Sequence, residues 1–136
     1  MTRELERRLV LENADVIDIG TAGLSILDHV PGYDRLILVD AIVSGAEPGT
    51  VLELTGADIA RAFHLGPGHD ADLPTVLTFG ERLLGELMPR DVVVIAIEVV
   101  DVVSISSELT PKVSDAVKGA AALVEARCKE GPANAV

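Results

Sequence analysis

Aromatic side chains are nearly missing: the 136 residues hold no Trp, one Tyr and two Phe. Any core must therefore be assembled from Val, Leu, Ile and Ala. Cysteine is almost as scarce. The single Cys128 excludes an internal disulfide and any multi-cysteine metal site, which fits a reducing compartment. Basic residues are few as well, with 11 Lys and Arg against 22 Asp and Glu and a net charge of −11. A surface that acidic repels phosphate backbones and anionic lipid, so neither nucleic acid nor a membrane is an expected partner. The same charge favours solubility and could attract a basic protein segment. Long apolar runs are absent too. The longest, Val92 to Ile97, is far too short to span a bilayer, and Met1 to Arg8 lack the apolar stretch of a signal peptide. The expectation is a soluble, cytoplasmic protein.

What is present is a globular composition, 49% hydrophobic and 24% charged, at the size of one domain over residues 1–136. Leu5 and Leu9 mark a short amphipathic helix. Asp15 to Ile19 reads as a strand, Gly20 to Gly23 as a turn, and Thr21 as a cap for a helix carrying Leu24, Leu27 and Val30 that ends at Pro31-Gly32. Leu36 to Val39 is a continuous apolar run ending in Asp40, the pattern of a strand buried on both faces. After a turn at Pro48-Gly49, the alternation of Thr50 to Leu54 predicts a strand with one wetter face, and Ala57 to Phe63 one or two helical turns. Gly66 to Asp72 has the composition of a loop. Asp72 then caps a helix with Leu73, Val76, Leu77, Leu83, Leu84 and Leu87 on one broad apolar face. Val92 to Ile97 is a second fully buried strand. Thr110 and Pro111 open a last helix with a stripe of Val113, Val117, Ala121, Val124 and Cys128, and the tail from about 130 to 136 is expected to be disordered. Strands alternating with helices imply an α/β fold, a parallel or mixed sheet with helices on both faces.

In such sheets ligands collect beyond the carboxyl ends of the strands. Asp40 closes a buried strand there, where its carboxylate either enters the crevice or caps the turn from Ala41 to Gly45. His69 sits in the Gly- and Pro-rich loop, where an imidazole could bind a divalent ion, act as acid or base, or face water. His64 competes for that role, and His29 suits a helix C-terminus. Asp18 is either a second acidic group at the same sheet edge or an acceptor for the turn amides of Gly20 to Gly23. Gly20 and Gly23 do not make a dinucleotide fingerprint. Glu98, after the Val92–Ile97 strand, either approaches the crevice or is solvated. Ser44, Ser104, Ser106 and Ser107 have no nucleophile-elbow context, and there is no phosphate-binding loop or HExxH motif.

Taken in order, Asp18 to Leu24, Leu36 to Ser44, Pro48 to Thr50, Gly68 to Leu77 and Glu108 to Val113 resemble the hydrogenase maturation endopeptidases. The resemblance runs from about Arg3 to about Ala122. It implies a three-layer α/β/α sandwich around a twisted, mostly parallel sheet. It further implies an endopeptidase that removes the C-terminal extension from the large-subunit precursor of a nickel-iron hydrogenase after metal insertion. Nickel carried by that precursor is the metal recognised, with zinc or another divalent ion as substitutes in vitro. By motif, Asp40 and His69 become the catalytic, metal-contacting pair, supported by Asp18, Gly20 and Thr21. Carboxylate and imidazole ligands suit borderline divalent ions, and an incomplete shell leaves room for the substrate's own ligands.

The chain also departs from that pattern. The family begins with an apolar strand, a Gly-Asn loop and an acidic residue that supplies a third ligand, and none of Glu4, Glu6 or Glu12 matches that position. The expected cost of a missing first strand is unpaired backbone and an apolar cleft, which formation of a homo-oligomer could cover. The usual Gly after the loop His is absent as well, since Asp70 follows His69. The alternative reading is therefore a homologue that binds a hydrogenase precursor without cleaving it.

Overall fold

The computed structural model describes residues 1–8, 13–20, 23–63, 73–100 and 110–131. In chain order these form α1 (Thr2–Arg8), a 3-10 helix (Gly23–Asp28), β1 (Arg35–Ile42), β2 (Val51–Thr55), α2 (Ala57–Phe63) and α3 (Leu73–Leu84). They continue as a 3-10 turn (Gly85–Leu87), β3 (Asp91–Glu98) and α4 (Pro111–Glu130). The apolar run before Glu98 becomes the centre of a three-stranded sheet of order β1-β3-β2. β1 runs parallel to β3 in the register Leu36↔Val92 to Ile42↔Glu98, and β2 runs antiparallel with Val51↔Ile97. The sheet is thus mixed.

Alternation of side chains along the strands divides the core into two. Ile37, Val39, Val51, Val93, Ile95 and Ile97 meet α4 through Val113, Ala116, Ala120, Ala121 and Val124, with Leu5 of α1 behind them. Leu36 and Leu38 face the other way, toward Val76 of α3, Met88, and Ile26, Leu27 and Val30 in and after the 3-10 helix. Helices on both faces make three layers. α4 forms as its sequence requires: Thr110 Oγ1 accepts from Val113 N at 3.4 Å, and Pro111 occupies the first turn, where no backbone donor is needed.

Four expectations change. Asp15 to Ile19 is not a strand: the segment runs irregularly and joins no sheet among the described residues. A cleft of about 870 Å3 separates residues 13–20 from Leu36 to Val39, and alternating side chains cannot make a strand without a neighbouring edge. For the same reason Leu36 to Val39 are half-buried rather than buried on both faces. The residues carrying Ile26 and Leu27 form a 3-10 rather than an α-helix, and Leu24 stays exposed. On α3 and the turn after it, Val76 is buried but Leu83 and Leu87 are exposed, so the apolar face is narrower than its sequence suggested. The expected tail lies outside the described residues beyond Gly131, as do Leu9, Thr21 and the 64–72 loop.

At the amino ends of the parallel pair, Arg35 Nε donates to Asp91 Oδ2 at 2.7 Å, and the same guanidinium donates to the Arg127 carbonyl of α4. Both ionic side chains are almost enclosed, at 12% and 10% exposure. Removing the guanidinium takes from the nearly enclosed Asp91 the opposite charge it pairs with. Arg35→Ala should therefore destabilise the fold by about 3 kcal/mol. Lys112→Ala breaks an exposed pair with Glu47 at 2.6 Å and should leave stability close to the wild-type value. Urea midpoints of the two variants check the contrast.

Candidate functional site

The strand order dictates what happens at the carboxyl end of the sheet. β1 and β2 are consecutive in the chain, yet β3 lies between them, so residues 43–50 must cross over the end of β3. Glu98 is the last residue of β3, and it is only 1% exposed. The crossing chain closes on it. Ser44 N and Gly45 N donate to Oε1 at 2.7 and 3.0 Å, and Ser44 Oγ donates to Oε2 at 2.7 Å. The Ala46 amide donates to the same carboxylate. Backbone bonds continue the grip on both sides, from Gly49 N to the Glu98 carbonyl and from Glu98 N to the Thr50 carbonyl, each 2.8 Å, and from Val99 N to the Ile42 carbonyl at 2.9 Å.

Two glycines make the crossing geometrically feasible. Gly45 and Gly49 have φ of 93° and 92°, in the region that side chains disfavour. At Gly49 a Cβ would also stand 3.0 Å from the Lys112 carbonyl at the start of α4. The crossover is therefore seated on α4 as well as on Glu98.

Burial pushes the Glu98 carboxyl up, but the Ser44 hydroxyl and the Ser44, Gly45 and Ala46 amides together outweigh it. The net effect is a pKa below the ordinary carboxylate value. A carboxylate so satisfied is a weak base, so Ser44 and Glu98 are a structural pair rather than a nucleophile and its activator. Solvation, one of the two roles the sequence left open for Glu98, does not apply.

Asp40 lies two residues before the end of β1, opposite Ala96. By alternation it continues the Leu36–Leu38 row, so it occupies the α3 side of the sheet with Glu98, near the carboxyl end. Its own side chain is exposed, accepting from Ala41 N at 2.8 Å. Ala96 beside it on the central strand is fully buried. The carboxylate of Asp40 is thus exposed near the strand end and bonded to the next amide, which is itself still within β1.

Asp18 accepts from Gly20 N at 3.1 Å, the turn-forming role, and Gly20 has φ of 62°. Asp18 lines the cleft beside Leu36 to Val39, and Asp40 is not part of that lining. The structure thus brings Asp40 together with Glu98 on one side of the sheet, and places Asp18 in a different setting. His69, His64 and Thr21 lie outside the described residues. Among the described residues no three His, Cys, Asp or Glu side chains group as a metal site, and no helix is long and apolar enough to cross a membrane. The signal for Glu98 was the abrupt placement of a charge after six wholly apolar residues, Val92 to Ile97.

Since the folded Glu98 carboxyl titrates below the ordinary 4.5, its contribution is complete above that value and is lost as pH falls through the lower folded one. Melting temperature should drop more steeply from about pH 5 to about pH 3 in the wild type than in Glu98→Gln. At pH 7, Glu98→Ala should cost about 2–3 kcal/mol by urea unfolding, the scale of hydrogen bonds made to a charged acceptor.

Comparison with known proteins agrees with this architecture. The family model described as hydrogenase maturation protease matches residues 1–127. The Hydrogenase 2 maturation protease of Escherichia coli K12 is 31% identical over 140 residues, covering 97% of this chain and 80% of that protein. The hydrogenase expression/formation protein HupD of Bradyrhizobium diazoefficiens is 30% identical over 118 residues, covering 82% of this chain, which spans 59% of HupD's length. Among solved structures, the E. coli hydrogenase maturating endopeptidase HybD superposes with a TM-score of 0.72 at 26% identity, over 94% of this chain and 81% of that one. The [NiFe] hydrogenase maturation protease HybD of Thermococcus kodakarensis, at 22% identity, shares the fold with a TM-score of 0.71, over 91% of this chain and 85% of that one. With a family model spanning almost its entire length, the chain belongs to the hydrogenase maturation proteases.

Proposed function

We propose that the chain is an endopeptidase that removes the C-terminal extension of a nickel-iron hydrogenase large-subunit precursor once nickel has been inserted. Family membership supports the protease class, and the observation that carries the site is the exposed carboxylate of Asp40 near the carboxyl end of β1. In this reading nickel arrives as part of the substrate. Asp40 and His69 contact it, while the precursor supplies the remaining ligands, a division that suits carboxylate and imidazole donors to a borderline divalent ion. A metal held between enzyme and precursor orients the scissile peptide and polarises the carbonyl or the attacking water. Water is consumed, the peptide C–N bond breaks, and the shortened large subunit leaves with a new carboxylate. Asp18, Gly20 and Thr21 take a supporting part through the turn that Asp18 closes on Gly20 N, on the cleft side of β1 and away from the nickel. Place of action is the cytoplasm, in keeping with a chain whose one cysteine leaves no internal disulfide to form.

Mixing the chain with nickel-loaded precursor should yield the shortened subunit on a denaturing gel. Asp40→Ala and His69→Ala should each slow its appearance by more than about 100-fold, beyond the 10–100-fold typical of losing a group that merely supports a ligand. Wild-type rates in both variants would remove the assigned pair. Precursor retained by the wild-type chain but never shortened would replace cleavage with binding alone.

A further inference from the structure

We propose that Glu98 is a positioning residue for the site: by fastening the Ser44–Ala46 crossover it fixes the end of β1 and, with it, the Asp40 carboxylate. The inference deepens the functional reading above and rests on Asp40 as the group that meets the substrate.

Three observations lead to it. The outer edge of β1 borders the cleft and has no strand partner among the described residues, whereas its inner edge is paired along its length with β3. On the inner side the end of that strand is paired with β3 through Ile42↔Glu98, then held by Val99 N on the Ile42 carbonyl and, two residues later, by the Ser44 and Gly45 amides on Glu98. The carboxylate of Glu98 then has no ion pair among the described residues, and every donor it receives is a neutral group of the crossover. A side chain buried to 1% exposure and satisfied entirely by one loop has that loop's geometry as its evident output.

The chemistry also explains why an acid stands there. A carboxylate accepts at both oxygens, so Oε1 can take two amides while Oε2 takes the hydroxyl. Glutamine keeps the shape but offers one accepting oxygen, and its NH2 must face a donor or force the Ser44 hydroxyl to turn round. Glu98→Gln should therefore loosen the crossover without emptying the space. Asp40 would feel the change through Ala41, whose amide donates to Asp40 Oδ1 at 2.8 Å.

The test compares wild type, Glu98→Gln and Ser44→Ala by amide hydrogen exchange resolved by NMR, alongside cleavage kinetics on nickel-loaded precursor. Glu98→Gln is expected to speed exchange at Ser44, Gly45 and Ala41 by at least about tenfold more than at β3 amides such as Val94 and Ile95, which report the overall loss of stability. Its kcat should fall about tenfold with KM within about twofold, the pattern of a displaced reacting group rather than a lost binding contact. Ser44→Ala, which removes one donor and leaves the acid in place, should shift the same amides in the same direction by about threefold; it carries the test if the glutamine variant does not fold. Uniformly faster exchange throughout the sheet would reduce Glu98 to a stability element and overturn the proposal. So would loosening at Ser44 and Gly45 with Ala41 still protected. If the wild type cleaves no precursor, the functional reading fails, and the exchange at Ala41 still decides whether Glu98 governs Asp40.

Discussion

A single buried carboxylate organises the carboxyl end of the sheet. The strand order sends the chain from β1 to β2 across the end of β3, and a crossing loop presents backbone amides to a place where water is excluded. Glu98 receives them. Without an acceptor there, the Ser44 and Gly45 amides would have to find water, and the loop would lift away from the strand it covers. Gly45 and Gly49 supply the backbone freedom for the crossing, and Gly49 brings it against the first turn of α4. Sequence, topology and site meet at one residue.

The opposite end has its own anchor. Arg35 and Asp91 join the amino ends of β1 and β3, and the same arginine reaches the last turns of α4, where Arg127 in turn pairs with Glu53 on β2. β3 is thus fastened at both ends and filled with Val, Ile and Ala between them. Among the described residues β1 is fastened on one side only. The contrast explains why an eight-residue apolar strand carrying Leu36 to Val39 remains half-buried while its neighbour is almost fully enclosed. It also makes the positions near the end of β1 depend on what holds the crossover. Polypeptide with a free edge is less constrained than polypeptide inside a sheet, and a site residue placed there needs support from elsewhere.

Much of the fold was legible in the sequence where the signal was local. Val92 to Ile97 announced an enclosed strand by apolar continuity, and Thr110 with Pro111 announced the start of α4 by capping chemistry. Both are properties of neighbouring residues. Asp15 to Ile19 misled because alternation records which side chains would suit a sheet, not whether a partner edge stands beside them. Leu83 and Leu87 misled in a similar way: they continue the helical period, but the sheet and the 3-10 helix cover α3 only along the line of Val76. The position of Asp40, exposed near the carboxyl end of β1, was legible because a charge closes an apolar run there; its part in a site is the proposal made above. The role of Glu98 was not legible, since it follows from a crossover that only the strand order reveals. His69 and Thr21 fall outside the described residues, so the sequence resemblance remains their sole support.

The central claim is that nickel is met at the carboxyl end of β1, on the α3 side of the sheet. Nickel(II) with unpaired electrons broadens the NMR signals of nearby nuclei, which makes the claim directly visible in a 15N-labelled chain. Substoichiometric nickel should first erase the amide signals of Asp40 and Ala41, then those of Ala96 and Ser44, while Asp15, Asp18 and Asp34 along the cleft remain sharp. Broadening centred on those three acids, with Asp40 and Ala41 intact, would contradict the account.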